Sequence, residues 1–81
     1  MPYPDEFFAQ QLERQLERHG TRSIFRTRNS LLQRLAEHRD KLPGLRYRES
    51  VEREIRTFER QLETVDQFIA DRQLERNGAR Q

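Results

Sequence analysis

The chain has 81 residues, of which 32% are hydrophobic and 37% are charged, and its formal net charge is +2. Since an ordinary soluble domain is richer in hydrophobic and poorer in charged residues, we expect one small domain whose apolar residues are concentrated on narrow helix faces. The absence of cysteine excludes disulfides, thiolate zinc sites and a cysteine nucleophile.

The first residues and the lengths of the apolar runs indicate where in the cell the protein is expected. Residues 1–8 contain neither the basic nor the apolar region of a secretory signal. No apolar run approaches the roughly 18 residues that are needed to cross a bilayer. We therefore expect a cytoplasmic protein that does not enter a membrane.

The first predicted helix covers about residues 5–19. Asp5 suits its start, because carboxylates are favoured at the positive end of a helix dipole, and Gly20 suits its end. Its apolar stripe consists of Phe8, Leu12 and Leu16.

The second predicted helix begins at about Thr21 or Ser23, of which we favour Ser23, and ends at about Leu42. A later start is the alternative, because residues 30–33 read as a capping box, in which case residues 21–29 would be an irregular connection. The apolar face consists of Ile24, Leu31, Leu35 and Leu42.

The third predicted helix covers about residues 45–76, followed by a frayed tail at 77–81. It carries three consecutive heptads, which is the strongest periodic signal in the chain. Ile55, Leu62 and Ile69 occupy one heptad position, and Val51, Phe58 and Val65 occupy the other.

Together these segments predict an all-α domain over residues 1–81. Helices 2 and 3 form an antiparallel helical hairpin through Pro43 and Gly44, with a shorter N-terminal helix beside them. Helix 3 would be on the order of 45 Å long and helix 2 about 30 Å. Either helix 1 or a second copy must cover the excess, so a three-helix bundle and a dimeric helical bundle both fit the pattern.

The positive charge is concentrated in the middle of the chain. Residues 18–48 hold nine Lys or Arg against two acids, a balance of +7, whereas both flanking segments are acidic. Two interpretations follow: helix 2 forms ion pairs with its neighbours, or it presents a basic surface to an anionic partner. The candidate residues for anion or nucleic-acid binding are Arg22, Arg26, Arg28 and Arg34.

The apolar stripe of helix 3 is the second candidate surface. Phe68 lies beside Ile69 and widens the stripe, so a hairpin alone would leave Phe68 exposed. Aromatic anchors dominate the binding energy of many interfaces. The predicted partner-binding residues are Phe58, Leu62, Val65, Phe68 and Ile69.

Residues for catalysis or metal binding are scarce. His19 and His38 lie at the ends of different segments, without a partner at ligand spacing, and there is no nucleophile elbow or glycine-rich phosphate loop. Only Arg28 and His38, which interrupt the apolar stripe of helix 2, could support an enzyme. We therefore expect no enzyme activity, cofactor, metal or small-molecule substrate.

The leading functional hypothesis is a protein–protein interaction module: an adaptor, an assembly factor or a small inhibitor of a larger complex, as phages and mobile elements encode. It would act through the apolar face of helix 3 on a protein partner or on itself, as a homodimer. The alternative is a small dimeric DNA- or RNA-binding protein that uses the basic helix 2.

Overall fold

The computed structural model describes residues 2–44 and 46–75 of the chain. In these ranges the chain forms three α-helices, α1 (Glu6–His19), α2 (Thr21–Lys41) and α3 (Arg48–Arg72), and no strand. A short 3-10 turn, Leu42–Gly44, joins α2 to α3. The predicted all-α class is confirmed. None of the described helices is both long and apolar enough to cross a membrane.

Helix α1 begins and ends where the sequence predicts. The Asp5 side chain caps it by accepting a hydrogen bond from the Phe8 N–H at 3.0 Å. Gly20 ends it, with φ at 84°, and donates its N–H to the Leu16 carbonyl at 2.9 Å. Because α2 starts at the next residue, Gly20 alone forms the joint between the two helices.

Helix α2 starts at Thr21, which is the earlier of the two neighbouring starts and lies two residues before the favoured one. The alternative start at Ser30 is wrong, because residues 21–29 are helical. Gln15 of α1 holds this first part in place, since its amide donates to the Ser23 carbonyl at 2.9 Å and to the Thr27 hydroxyl at 2.8 Å.

Helix α3 is shorter than predicted. Residues 46 and 47 precede it as non-helical chain, and Gln73 ends it in a left-handed conformation with φ at 53°. Leu74 then donates its N–H to the Ile69 carbonyl at 3.0 Å, which satisfies a carbonyl that a longer helix would have used. The predicted ends, Leu45 and Arg76, lie outside the described residues, as does the tail 77–81.

The three helices alternate in direction and enclose one apolar core. Ion pairs between Arg28 and Asp66 and between Arg39 and Glu59 show that α2 and α3 are antiparallel. The N-terminus of α1 lies beside the C-terminal half of α3, where the Asp5 N–H donates to the Thr64 hydroxyl. The buried core cluster consists of Leu12, Ile24, Leu31, Val65 and Phe68.

The chain is elongated, with extents of 46 × 25 × 19 Å, because α1 covers only one end of the hairpin. The other end is a two-helix arm, formed by residues 32–41 of α2 and 48–60 of α3. Its inner positions are still closed, since Leu35 is 5% exposed and Ile55 is 8% exposed.

Phe68, which a hairpin alone would leave exposed, is buried, and of the two predicted covers the structure has helix 1. The Phe68 side chain is 1% exposed, because α1 and the segment before it cover the excess length of α3. The Tyr3 ring lies 6.4 Å from the Phe68 ring, and the Arg72 guanidinium lies 4.8 Å above it on another side. Arg72 is held there by a hydrogen bond with Glu13, which raises the pKa of the guanidinium.

Candidate anion-binding groove

A polar groove follows α2 on the side that faces α1. We call it the basic groove, and its volume is about 750 Å³. Four exposed residues of α2 line it: Arg22, Arg26, Ser30 and Arg34. Its walls include Phe8, Gln15 and His19 of α1 and Gln61 of α3.

The four residues from Arg22 to Arg34 follow one another along α2 because they are spaced by four. Residues four apart are neighbours on a helix surface, and each such step rises by about 6 Å along the axis. The row from Arg22 to Arg34 is therefore about 18 Å long. Ser30 occupies the single step without an arginine.

The electrostatics of the groove are one-sided. No Asp or Glu lines it, and both acids of α2, Glu37 and Asp40, lie outside it. Arg22, Arg26 and Arg34 are exposed, and none of them forms an ion pair with a described residue. Their guanidinium groups are therefore available to an anion from outside the chain.

Arg28 does not belong to this groove, although the sequence groups it with the other three. It pairs with Asp66 of α3 at 2.6 Å and is about one-third exposed. Position 28 lies six residues after Arg22, which is about 240° around the helix, so its side chain is directed towards α3. This candidate residue is thus occupied by an internal carboxylate.

Both sequence interpretations of the basic helix describe part of the molecule. One flank of α2 contacts α3 through the ion pairs of Arg28 with Asp66 and of Arg39 with Glu59 at 2.5 Å, and through a hydrogen bond between His38 and Glu54 at 2.8 Å. Such partly exposed pairs stabilise little individually. The opposite flank carries the three arginines of the basic groove.

The apolar surface predicted on α3 is largely used by the fold itself. Val65 is 0% exposed and Phe68 is 1% exposed, so neither is accessible to a partner in this structure. Phe58, Leu62 and Ile69 are half-buried and pack against the core cluster. The large hydrophobic side chains that are exposed lie elsewhere, at Phe7, Leu32 and Tyr47.

The structure does not bring Arg28 and His38 into a common pocket. His38 faces the arm, where its Nδ1 lies 2.9 Å from the Arg34 carbonyl oxygen and its ring stacks edge-on against Phe58 at 5.0 Å. Asp66 and Glu54, the partners of Arg28 and His38, lie far apart on α3. Among the described residues, no group of three or more His, Cys, Asp or Glu could hold a metal ion.

Sequence reasoning named only the three arginines among the residues that line the groove, and the residues that it missed include Phe8, His19 and Gln61. Phe8 belongs to the apolar stripe of α1, and nothing in that stripe distinguishes a core residue from one that also lines a groove. Gln61 is a polar residue within a heptad pattern. Only the packing of α1 against α2 and α3 brings these residues to the arginine row.

No family model matches this chain, and no curated protein and no solved structure is similar to it. Function is therefore inferred from the described residues. Among their features, the basic groove has the most specific chemistry.

Proposed function

We propose that this protein binds nucleic acid through the basic groove. The observation that carries the proposal is the row of Arg22, Arg26 and Arg34, exposed, without ion-pair partners in the described chain, and in a groove without carboxylates. The planar guanidinium group donates two parallel hydrogen bonds to a phosphate, and phosphate contacts supply most sequence-independent affinity for nucleic acid. A cytoplasmic setting is part of this proposal.

Protein binding through the apolar face of α3 has less support. Its two most central residues, Val65 and Phe68, belong to the core of the single chain. The two-helix arm favours a more limited second candidate, because α1 leaves it uncovered and Phe58 stays half-buried there. A protein partner, or a second copy in a homodimer, would bind at this arm.

A pair of matched charge variants tests the proposal. The groove variant replaces Arg22, Arg26 and Arg34 with Gln, and the control replaces Arg53, Arg56 and Arg60 of α3 with Gln. Each removes three positive charges and takes the formal net charge from +2 to −1. The control arginines are exposed and lie outside the basic groove. Any difference between the variants therefore reports position and not total charge.

The readout is the fluorescence anisotropy of a labelled oligonucleotide. We expect the groove variant to bind about a hundredfold more weakly than the wild type, taking roughly 1 kcal/mol for each lost charge-assisted contact. The control variant should lose several-fold at most. Equal losses in the two variants, or no binding by the wild type, would contradict the proposal.

Salt dependence separates this function from hydrophobic protein binding. If three phosphates are neutralised, the logarithm of the association constant should fall with the logarithm of salt concentration with a slope of about −2 to −3. Phe58→Ala should leave oligonucleotide affinity unchanged while impairing capture of a protein partner at the arm. A slope near zero would favour the second candidate.

A further inference from the structure

We infer that the nucleic acid that the basic groove binds is single-stranded. This inference rests on the proposed function and adds the class of ligand. Three features of the groove carry it: its concave shape, the length of its arginine row and the uncharged groups that stand beside the row.

The shape of the groove differs from the single protruding helix with which many proteins read a duplex. A reading helix enters the major groove, which is about 12 Å wide and is filled by one helix of roughly 10–12 Å diameter. Phe8 and Gln15 of α1 and Gln61 of α3 line the groove together with the arginine row of α2. The row therefore borders a concave surface to which three helices contribute.

The length of the row fits a short run of one strand. Arg22 and Arg34 are about 18 Å apart along the axis of α2, which corresponds to about five nucleotides of a stacked strand at ~3.4 Å each. Ser30 places a neutral hydroxyl between Arg26 and Arg34. A single backbone can follow this row and contact each arginine in turn.

The walls offer groups that bind bases and not phosphates. Phe8 is half-buried, packs against the core cluster and also lines the groove, so part of its ring is available for stacking. Gln61 has no hydrogen-bond partner among the described residues, and its amide can donate to and accept from a base edge. Such contacts need bases that are not already paired and stacked in a duplex.

The test compares a labelled oligothymidine with a hairpin duplex of the same length, at one salt concentration, by fluorescence anisotropy. We expect the single strand to bind at least tenfold more tightly than the duplex. Phe8→Leu, which keeps an apolar side chain for the core, should weaken single-strand binding about fivefold or more and leave the salt slope unchanged. Phe7→Leu is the matched control, because Phe7 is 67% exposed and lies outside the groove.

A second measurement does not depend on the folding of the Phe8 variant. In the wild-type complex, nuclear Overhauser contacts should connect thymine protons to the Phe8 ring. Equal affinity for duplex and single strand, or equal effects of Phe8→Leu and Phe7→Leu without such contacts, would overturn the single-strand assignment while leaving the charge-variant result intact. Absence of binding to both nucleic acids would overturn the proposed function as well.

Discussion

At the scale of single residues, Thr64 connects two helices through one buried hydroxyl. Its side chain is 0% exposed, its oxygen accepts from the Asp5 N–H at 3.0 Å, and its hydroxyl donates to the Arg60 carbonyl at 2.8 Å. Nothing in the sequence marks this residue, because a threonine near a helix seam usually forms only the local bond. Its role depends on the approach of α1.

Thr64→Val keeps the shape of this side chain and removes the hydroxyl. We expect the free energy of unfolding to fall by about 1–3 kcal/mol, because the Asp5 N–H is left without its partner. Thr64→Ser is the control and should stay within about 1 kcal/mol of the wild type, the cost of one buried methyl. Denaturant unfolding measures both. Equal losses in Val and Ser would show that the hydroxyl does not contribute.

The raised pKa of Tyr3 predicts that the stability of the folded protein depends on pH in the alkaline range. Burial first, and then the hydrogen bond to Asp71 at 3.0 Å and the charge of that carboxylate, raise the pKa of Tyr3 above 10.0. Since the folded state favours the protonated phenol, the stabilisation is complete below the ordinary tyrosine pKa and is lost as the pH rises through the raised value. Tyr3→Phe lacks this titration.

The stability difference between wild type and Tyr3→Phe should therefore shrink between about pH 9 and pH 11.5. Denaturant midpoints measured for both proteins across this range report the difference, and the other titrating groups cancel because both proteins contain them. A difference that is constant with pH would mean that neither the burial of Tyr3 nor its contact with Asp71 persists in solution.

At the scale of the helices, the sequence predicts the presence of each helix better than the residues at which the helix begins and ends. Gly20 and the Pro43–Gly44 pair mark the joints, and the apolar periodicity predicts all three helices. The sequence leaves the start of α2 open between Thr21 and Ser23, and the contact of Gln15 of α1 with the first turn stabilises the earlier start. The end of α3 is missed because Gln73 takes a left-handed conformation, which is usually predicted from a glycine and here occurs without one. Such features arise from tertiary contacts and local capping.

Among the described connections between helices, Gly20 has the backbone conformation that other residues are least able to adopt. Its φ of 84° and ψ of −176° lie in a region that glycine occupies almost alone, whereas an added Cβ would meet no atom within 4 Å. We expect Gly20→Ala to cost about 1–3 kcal/mol and to lower Tm by roughly 5–15 °C, from backbone strain alone.

Gly44→Ala is the matched control, because Gly44 also has open space around it and no positive φ. Its Tm should change by no more than about 3 °C. Thermal unfolding followed by circular dichroism compares the two. A Tm of Gly20→Ala equal to that of Gly44→Ala would contradict the strained joint.

At the scale of the whole molecule, the sequence predicts the hairpin but not the position of α1. The heptads of α3 show that it is longer than α2. They do not show whether α1 or a second copy of the chain covers the excess length. In the structure α1 covers Phe68, which turns a predicted partner surface into core. The same packing assembles the basic groove, separates Arg28 from Arg22, Arg26 and Arg34, and brings Phe8 to their side. Local periodicity cannot supply such contacts between distant segments.

The most direct measurement of the central claim is a nuclear magnetic resonance titration of the labelled wild-type protein with an oligonucleotide. We expect amide shift changes along residues 22–34 and at Phe8 and Gln61, and no change at residues 48–58 of the arm. Changes confined to the arm, or no changes at saturating oligonucleotide, would contradict nucleic-acid binding at the basic groove.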